Sequence, residues 1–221
     1  MLVNEMFSSI EGEGIRQGYL CSFVRFYGCP LNCSYCDSRY ACTGGDYREM
    51  NVQDIVSWLD EAGLRMVTLT GGEPMAQHDI GILVDELLDR QYKINIETSG
   101  HCDYTAVWDR NFRLKHFHDL FMTVDYKSPS SGMERMMCKN CFTGLMDWDV
   151  LKFVVGSVKD LDTMTDVIRE YRPKCHIFAS PVFGKISPAE IVDYLKSRRL
   201  ECVRIQLQLH KYVWDPAVRG V

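Results

Sequence analysis

The amino-acid sequence predicts an α/β fold, a partial (β/α)6-type TIM-like barrel, on three observations. Apolar runs rich in β-branched and aromatic residues alternate with segments of helical period. The runs are apolar throughout rather than at every second residue, as in strands covered on both faces. About six strand–helix units fit into the 221 residues, whereas a closed eight-unit barrel takes roughly 250. Regular alternation implies parallel strands joined by right-handed crossovers. In such folds the chemistry gathers at the C-terminal ends of the strands.

The elements follow in order. "YLCSFVRF" (19–26) is the first predicted strand, and Asn51 caps a helix that runs to Glu61. "RMVTLT" (65–70) is the next strand, and the helix over 78–90 carries "IGILVDELLDR" at helical spacing. "KINIET" (93–98), "LFMTVDY" (120–126) and "DVLKFVV" (149–155) are three more strands. "KDLDTMTDVIREY" is helical, and "CHIFAS" (175–180) is a strand. "SPAEIVDYLKSRR" is a helix with Ser187 as its cap and Pro188 at the first helical position. "CVRIQLQL" (202–209) is the last strand. No repeat, linker or low-complexity tract interrupts the series, so one domain is expected over 1–221.

With 46% hydrophobic and 25% charged residues, the chain reads as a soluble globular protein. A net charge of -5 argues against a general nucleic-acid binder, whose footprint would be basic. The opening "MLVNEMFSSIEGEG" has neither a basic segment nor a continuous apolar one, and no stretch nears about 18 apolar residues. No signal peptide or membrane span is therefore expected, and the expected location is cytoplasmic. In a reducing compartment the ten cysteines divide into small core residues and ligands. Cys21, Cys175 and Cys202 sit in apolar runs and are expected in the core.

The chemistry concentrates in "GCPLNCSYCD". Cys29, Cys33 and Cys36 stand at C-x3-C-x2-C spacing directly after the first strand. Three thiolates suit an iron–sulfur cluster with one iron left open, much as a catalytic zinc keeps one position for water or substrate. The spacing also allows structural zinc completed by His78, His101 or Cys42. "LTGGEP", Leu69 to Pro74, ends the second strand, where glycines let the backbone approach a ligand and Glu73 offers an acceptor for an ammonium. Glu11 and Glu13 between Gly12 and Gly14 make an acidic, flexible segment able to hydrogen-bond a pterin or purine-like ring. Arg25 can pair with a substrate carboxylate or form a barrel-mouth salt bridge.

With the cysteine loop, aromatic Tyr35 before its last cysteine, and "LTGGEP", the chain resembles the radical S-adenosylmethionine superfamily. "EGEG", "FVRFYGCPLNCSYCD", "IETSG", "DYKSPSSGM", "DVLKFVVG" and "IQLQLHKYVW" resemble the 7-carboxy-7-deazaguanine synthase family, from Asn4 to Trp214. That resemblance implies a [4Fe-4S] cluster on Cys29, Cys33 and Cys36, with S-adenosylmethionine on the fourth iron. It implies a lyase that takes a hydrogen from C6 of 6-carboxy-5,6,7,8-tetrahydropterin, followed by ring contraction and loss of ammonia, on the route to queuosine.

The same resemblance assigns the substrate to Ile10, Glu11, Gly12, Arg25 and Thr70, and S-adenosylmethionine to Tyr35, Cys36, Asp37, Gly72, Asp125, Tyr126 and Lys127. Glu97 and Ser99 are further candidates, and Gln208, His210 and Lys211 are placed over the substrate. It implies Mg2+ on the hydroxyl of Ser38, where threonine is the expected residue. It also implies a homodimer and a flavodoxin or ferredoxin-type electron donor. Two other readings use part of the pattern: a glycyl-radical-enzyme activase of the same superfamily, and a structural zinc-binding module. "MMCKNC", with Cys138 and Cys141, has metal-ligand spacing of its own, with Cys102 as a further ligand, beside a loop ordered by ligand.

Overall fold

A computed structural model describes residues 1–216 and 218–221. Its strands are β1 (Leu2–Ile10), β2 (Leu20–Phe26), β3 (Arg48–Glu49), β4 (Met66–Gly71), β5 (Lys93–Thr98), β6 (Leu120–Tyr126), β7 (Val150–Val155), β8 (His176–Pro181) and β9 (Val203–Ile205). They form one sheet in the order β3-β1-β2-β4-β5-β6-β7-β8-β9. From β2 to β9 each neighbouring pair is parallel. β1 and β3 add antiparallel pairings at one edge. This is the open, partial barrel that the apolar runs predict.

The helices are α1 (Val52–Ala62), α2 (Ile80–Asp89), α3 (Arg110–Lys115), α4 (Lys139–Thr143), α5 (Val158–Tyr171), α6 (Pro188–Arg198) and α7 (His210–Val213). Among the described residues, no helix is long and apolar enough to cross a membrane. α1 starts on a capping box between Asn51 and Asp54 and stops at Gly63, whose φ of 73° ends the helix without strain. Ser187 and Glu190 make the same box ahead of Pro188 on α6. The helices cover the sheet with residues such as Ile55, Leu59, Leu83, Leu87, Leu161, Met164 and Ile191, which join the strand residues in the core.

Three expectations are corrected. Residues 2–10 form a strand, although "LVNEMFSSI" has no strong apolar signature; its backbone pairs with β2 from Val3 to Ile10, with a register shift between Val3 and Glu5. The last strand stops at Ile205, because its ladder to β8 covers only Val203 to Ile205. Beyond it the chain bonds elsewhere. Cys21 and Cys175 are in the core, but Cys202 is exposed in the turn that leads into β9.

The turn after β9 fastens the open side of the barrel. Leu209 N donates to Gly12 O at 2.9 Å. Gln17 Nε2 donates to Gly12 O at 3.0 Å and to Leu207 O at 2.8 Å. Gln208 Nε2 donates to Glu13 Oε1 at 2.6 Å. The C-terminal segment thus lies on the loop between β1 and β2.

Candidate active site

The C-terminal ends of the parallel strands open onto a cavity of about 1030 Å³, at the upper end of the range for small-molecule sites. Every residue that the resemblance assigns to the substrate, S-adenosylmethionine, the cluster or Mg2+ lines it except Tyr126. Strand alternation explains the exception. Asp125 and Lys127 face the cavity, while Tyr126 packs against Phe142 and Phe153 on the other side. Any ligand contact at Tyr126 would be through its backbone.

The cysteine loop is held from three sides. Gly72 N donates to Phe26 O at 2.9 Å, and Glu73 N to Gly28 O at 2.8 Å, tying the end of β4 to its start. Ser34 N donates to Ser131 O at 3.0 Å and Ser34 Oγ to Ser130 O at 2.6 Å. Ser130 N in turn donates to Asp160 Oδ1 at 2.8 Å, so buried Asp160 anchors the "PSSG" turn and, through it, the cysteines. Arg39 Nη2 donates to Cys33 O at 2.7 Å.

The "GGEP" segment acts differently from expectation. Glu73 is fully buried, and its carboxylate accepts from Met75 N at 3.0 Å, Thr98 Oγ1 at 2.8 Å, Ser99 N at 2.8 Å and Ser99 Oγ. It is saturated within the protein and joins the ends of β4 and β5, leaving nothing for an ammonium. The glycines are required by close approach: a Cβ on Gly72 would stand 2.1 Å from Gly28 O. On Gly71, at φ +126°, it would meet Phe26 O at 2.3 Å.

The cysteines fit a cluster better than a single ion. One tetrahedral zinc at about 2.3 Å from each sulfur would draw the sulfurs to about 3.8 Å apart. Cys29, Cys33 and Cys36 do not form a ligand trio within 4.8 Å; among the described residues such a trio occurs only at Asp103, Cys138 and Cys141. Cys42 Sγ lies 3.8 Å from Cys36 Sγ. A hydrogen bond from Cys42 outweighs burial and brings the Cys36 thiol down to about 6, and the same donor lowers Cys29. Both therefore favour the thiolate, the form that binds iron. Burial raises Cys33. His78 is exposed and paired with Asp79, and neither His78 nor His101 lines the cavity.

The acidic segment is fixed rather than flexible. Glu11 is buried, its carboxylate 2.6 Å from Arg16 Nη2 and bonded by Thr68 Oγ1. A ligand at Glu11 would therefore meet the backbone. Glu13 Oε2 is 2.8 Å from Lys152 Nζ, and Lys152 is also 3.1 Å from Asp125 Oδ1. Asp125 Oδ2 is 3.1 Å from Lys127 Nζ. Burial raises the Asp125 carboxyl, but the two lysines outweigh it and hold the group below its usual range. Burial pulls Lys152 down, but Asp125 and Glu13 more than reverse this. Lys152 was legible only as a lysine inside the apolar run "DVLKFVVG"; its partners come from other strand ends.

Arg25 combines both readings of its role. Its Nε is bonded to Glu5 Oε1 at 2.7 Å, and Tyr40 OH donates to the same oxygen at 2.9 Å. Its terminal nitrogens have no hydrogen-bond partner among the described residues and are not sealed off, while the residue lines the cavity. Glu5 and Tyr40, which the sequence did not single out, thus aim the fork of Arg25. Ser38 Oγ sits 3.9 Å from Cys36 Sγ at the cavity wall.

Glu97 is recessed in the cavity and accepts from Thr70 Oγ1 at 2.8 Å. Burial, with Glu11 and Glu13 adding and Lys152 opposing, raises its carboxyl from 4.5 to about 7. The folded protein holds this proton more tightly than the unfolded chain, so stability from this group falls as pH rises from about 4.5 through 7. Glu97→Gln is expected to be more stable than the wild type at pH 8 by roughly 1 to 3 kcal/mol, with the difference shrinking at pH 5. Urea titrations of both proteins at the two pH values measure it; an equal difference at both would reject the assignment.

The comparisons agree with this geometry. Residues 23–141 match the family model described as the Radical SAM superfamily. The chain is 44% identical to a 7-carboxy-7-deazaguanine synthase of Clostridium acetobutylicum, covering 99% of this chain and 98% of the relative. It is 36% identical to the synthase of Methanospirillum hungatei, covering 98% and 86%. The fold matches the crystal structure of QueE from Escherichia coli with a TM-score of 0.71 at 23% identity, over 94% of this chain and 93% of that one. SuiB of Streptococcus suis shares the fold at a TM-score of 0.56 and 12% identity, over 89% of this chain and 52% of that one. The chain belongs to the 7-carboxy-7-deazaguanine synthase family of the radical S-adenosylmethionine superfamily.

Proposed function

We propose that the protein is a radical S-adenosylmethionine lyase that converts 6-carboxy-5,6,7,8-tetrahydropterin to 7-carboxy-7-deazaguanine, in the biosynthesis of queuosine and related 7-deazapurines. The carrying observation is one cavity lined at once by the cysteine loop, by Ile10 to Gly12 and by Arg25 with Thr70. Cys29, Cys33 and Cys36 would hold a [4Fe-4S] cluster. With S-adenosylmethionine it supplies the radical chemistry.

The chain's own residues bind and orient. Arg25, steadied by Glu5 and Tyr40, keeps its fork for a carboxylate. The segment Ile10 to Gly12 is pinned by Arg16 on the Glu11 carboxylate and by Gln17 and Leu209 on the Gly12 carbonyl, and its backbone can present fixed polar groups to a pterin edge. Asp125, Lys127, Gly72 and the Tyr35–Asp37 backbone are the proposed S-adenosylmethionine contacts. Gln208, His210 and Lys211 cover the cavity and exclude water. The Ser38 hydroxyl is a hard ligand suited to Mg2+.

We further propose that residues 1–221 act as one radical S-adenosylmethionine domain, cytoplasmic and homodimeric, reduced by a flavodoxin or ferredoxin-type donor. The test is an anaerobic assay of the reconstituted enzyme with carboxytetrahydropterin, S-adenosylmethionine and reductant, with and without Mg2+. The deazaguanine product is expected, with a lower rate without Mg2+. Reductive cleavage of S-adenosylmethionine without ring contraction would overturn the substrate and keep the superfamily.

A further inference from the structure

We propose that Asp103, Cys138 and Cys141 form a second metal site that binds one zinc ion and staples the loop after β5 to the segment after β6. The carboxylate oxygen and two sulfurs lie within 4.8 Å of one another, outside the cavity of the cysteine loop.

Local structure converges on this point. Cys138 caps α4 and Cys141 stands one helical turn on, so the C-x2-C spacing sends both sulfurs to the same side. Cys138 N donates to Gly100 O at 2.8 Å and fixes Cys138 against the loop that carries Asp103. In the metal-free protein Cys141 Sγ donates to Cys102 O at 3.0 Å, and zinc binding would release that proton.

The carboxylate is oriented as ligand carboxylates are, by outer hydrogen bonds. Asp103 Oδ1 accepts from Thr105 N at 3.0 Å and Thr105 Oγ1 at 2.5 Å, and Oδ2 accepts from Asn140 Nδ2 at 2.7 Å. Oδ1 is fully occupied by these two donors, and Oδ2 retains a lone pair for the ion. Two thiolates with one carboxylate in a tetrahedral arrangement select zinc over magnesium or calcium, which take oxygen ligands. Cys102, next to Asp103, or a water completes the four. Ligand atoms within 4.8 Å of one another suit one ion rather than an additional cubane, whose ligands sit on separate irons.

The staple has a mechanical role. The loop after β5 carries Ser99 and the segment after β6 carries Ser130, both on the cavity wall. Zinc across Asp103, Cys138 and Cys141 would hold these two walls at a fixed separation, and its binding energy would add to folding stability.

The test uses the anaerobically reconstituted holoenzyme from zinc-supplemented growth. About one zinc alongside about four irons per chain is expected. Zinc-edge X-ray absorption should show two or three sulfurs at about 2.3 Å. Cys138→Ser/Cys141→Ser should lose the zinc, keep the iron and melt several degrees lower. Absent zinc, zinc bound only by nitrogen and oxygen, zinc retained in the double variant, or about eight irons per chain would overturn the proposal. The absorption spectrum needs no variant, so a double variant that fails to fold leaves the question decidable. Failure here would leave the four irons, and the proposed lyase reaction, untouched.

Discussion

Gly72→Ala is expected to lose most of its iron and at least about 100-fold in turnover while keeping its fold, since misplacements of about 1 Å at a reacting centre cost that much. The new Cβ would stand 2.1 Å from Gly28 O, 2.5 Å from Gly28 C and 3.0 Å from Ala41 O. All three are backbone atoms, so no rotamer change relieves the overlap. Either the end of β4 or the start of the cysteine loop must shift, and Cys29 moves with it. Iron and sulfide counts, circular dichroism and anaerobic turnover measure this. Gly81→Ala is the control, because there a Cβ meets only Val107 Cγ1 at 3.4 Å, inside α2. Full iron content and wild-type turnover in Gly72→Ala would show that the contact between β4 and the loop does not position the cluster ligands.

Arg16→Ala is expected to destabilise the protein by about 3 to 5 kcal/mol, the usual consequence of leaving a buried charge without its partner. Arg16 Nη2 is 2.6 Å from Glu11 Oε1 and also donates to Thr68 Oγ1 at 2.9 Å and Val67 O at 3.2 Å. Its Nη1 donates to Lys93 O at 2.9 Å, and its guanidinium lies 4.8 Å from the Phe121 ring centre. The side chain therefore ties the β1–β2 loop to the starts of β4 and β5. Against a total of about 5 to 15 kcal/mol for a typical domain, that is a large fraction. Pairing the change with Glu11→Leu should recover part of the loss, because the stranded carboxylate is then gone. Urea unfolding of the three proteins reads the effect; a single-variant loss below about 1 kcal/mol would mean that water reaches Glu11.

The parts of this fold that could be read from sequence are those whose signal is local. β4 to β8 are continuous apolar runs covered on both faces, and the observed strands fall within a residue or two of the expected ones. β1 was missed because Asn4, Glu5, Ser8 and Ser9 dilute its apolar pattern, and only its ladder with β2 makes it a strand. In the site, the cysteine spacing and the glycines of "GGEP" carried their meaning in a few adjacent residues. Pairings did not. That Glu11 would be taken by Arg16, Glu13 by Lys152 and Glu73 by Thr98 and Ser99 depends on which strand ends become neighbours. The exposed character of Cys202 and the turning of Tyr126 away from the cavity likewise follow from where a strand begins and which face it presents.

The fastening of the barrel by its last turn has a consequence for how the protein comes to be active. Gln17 reaches Leu207 across 190 residues, and Gln208 reaches Glu13 across 195. Contacts of such separation are entropically late, since the chain between them must be ordered before they form. The individual strand–helix units can assemble first, with the cysteine loop already tied to β4 and the "PSSG" turn. The roof over that loop is then the final piece to arrive, because it comes from the segment after β9, which leaves the ribosome after every strand of the sheet. A nascent chain can thus present its cysteines in an open cleft accessible to the cellular machinery that delivers clusters, and become a closed chamber only once the segment after β9 has emerged.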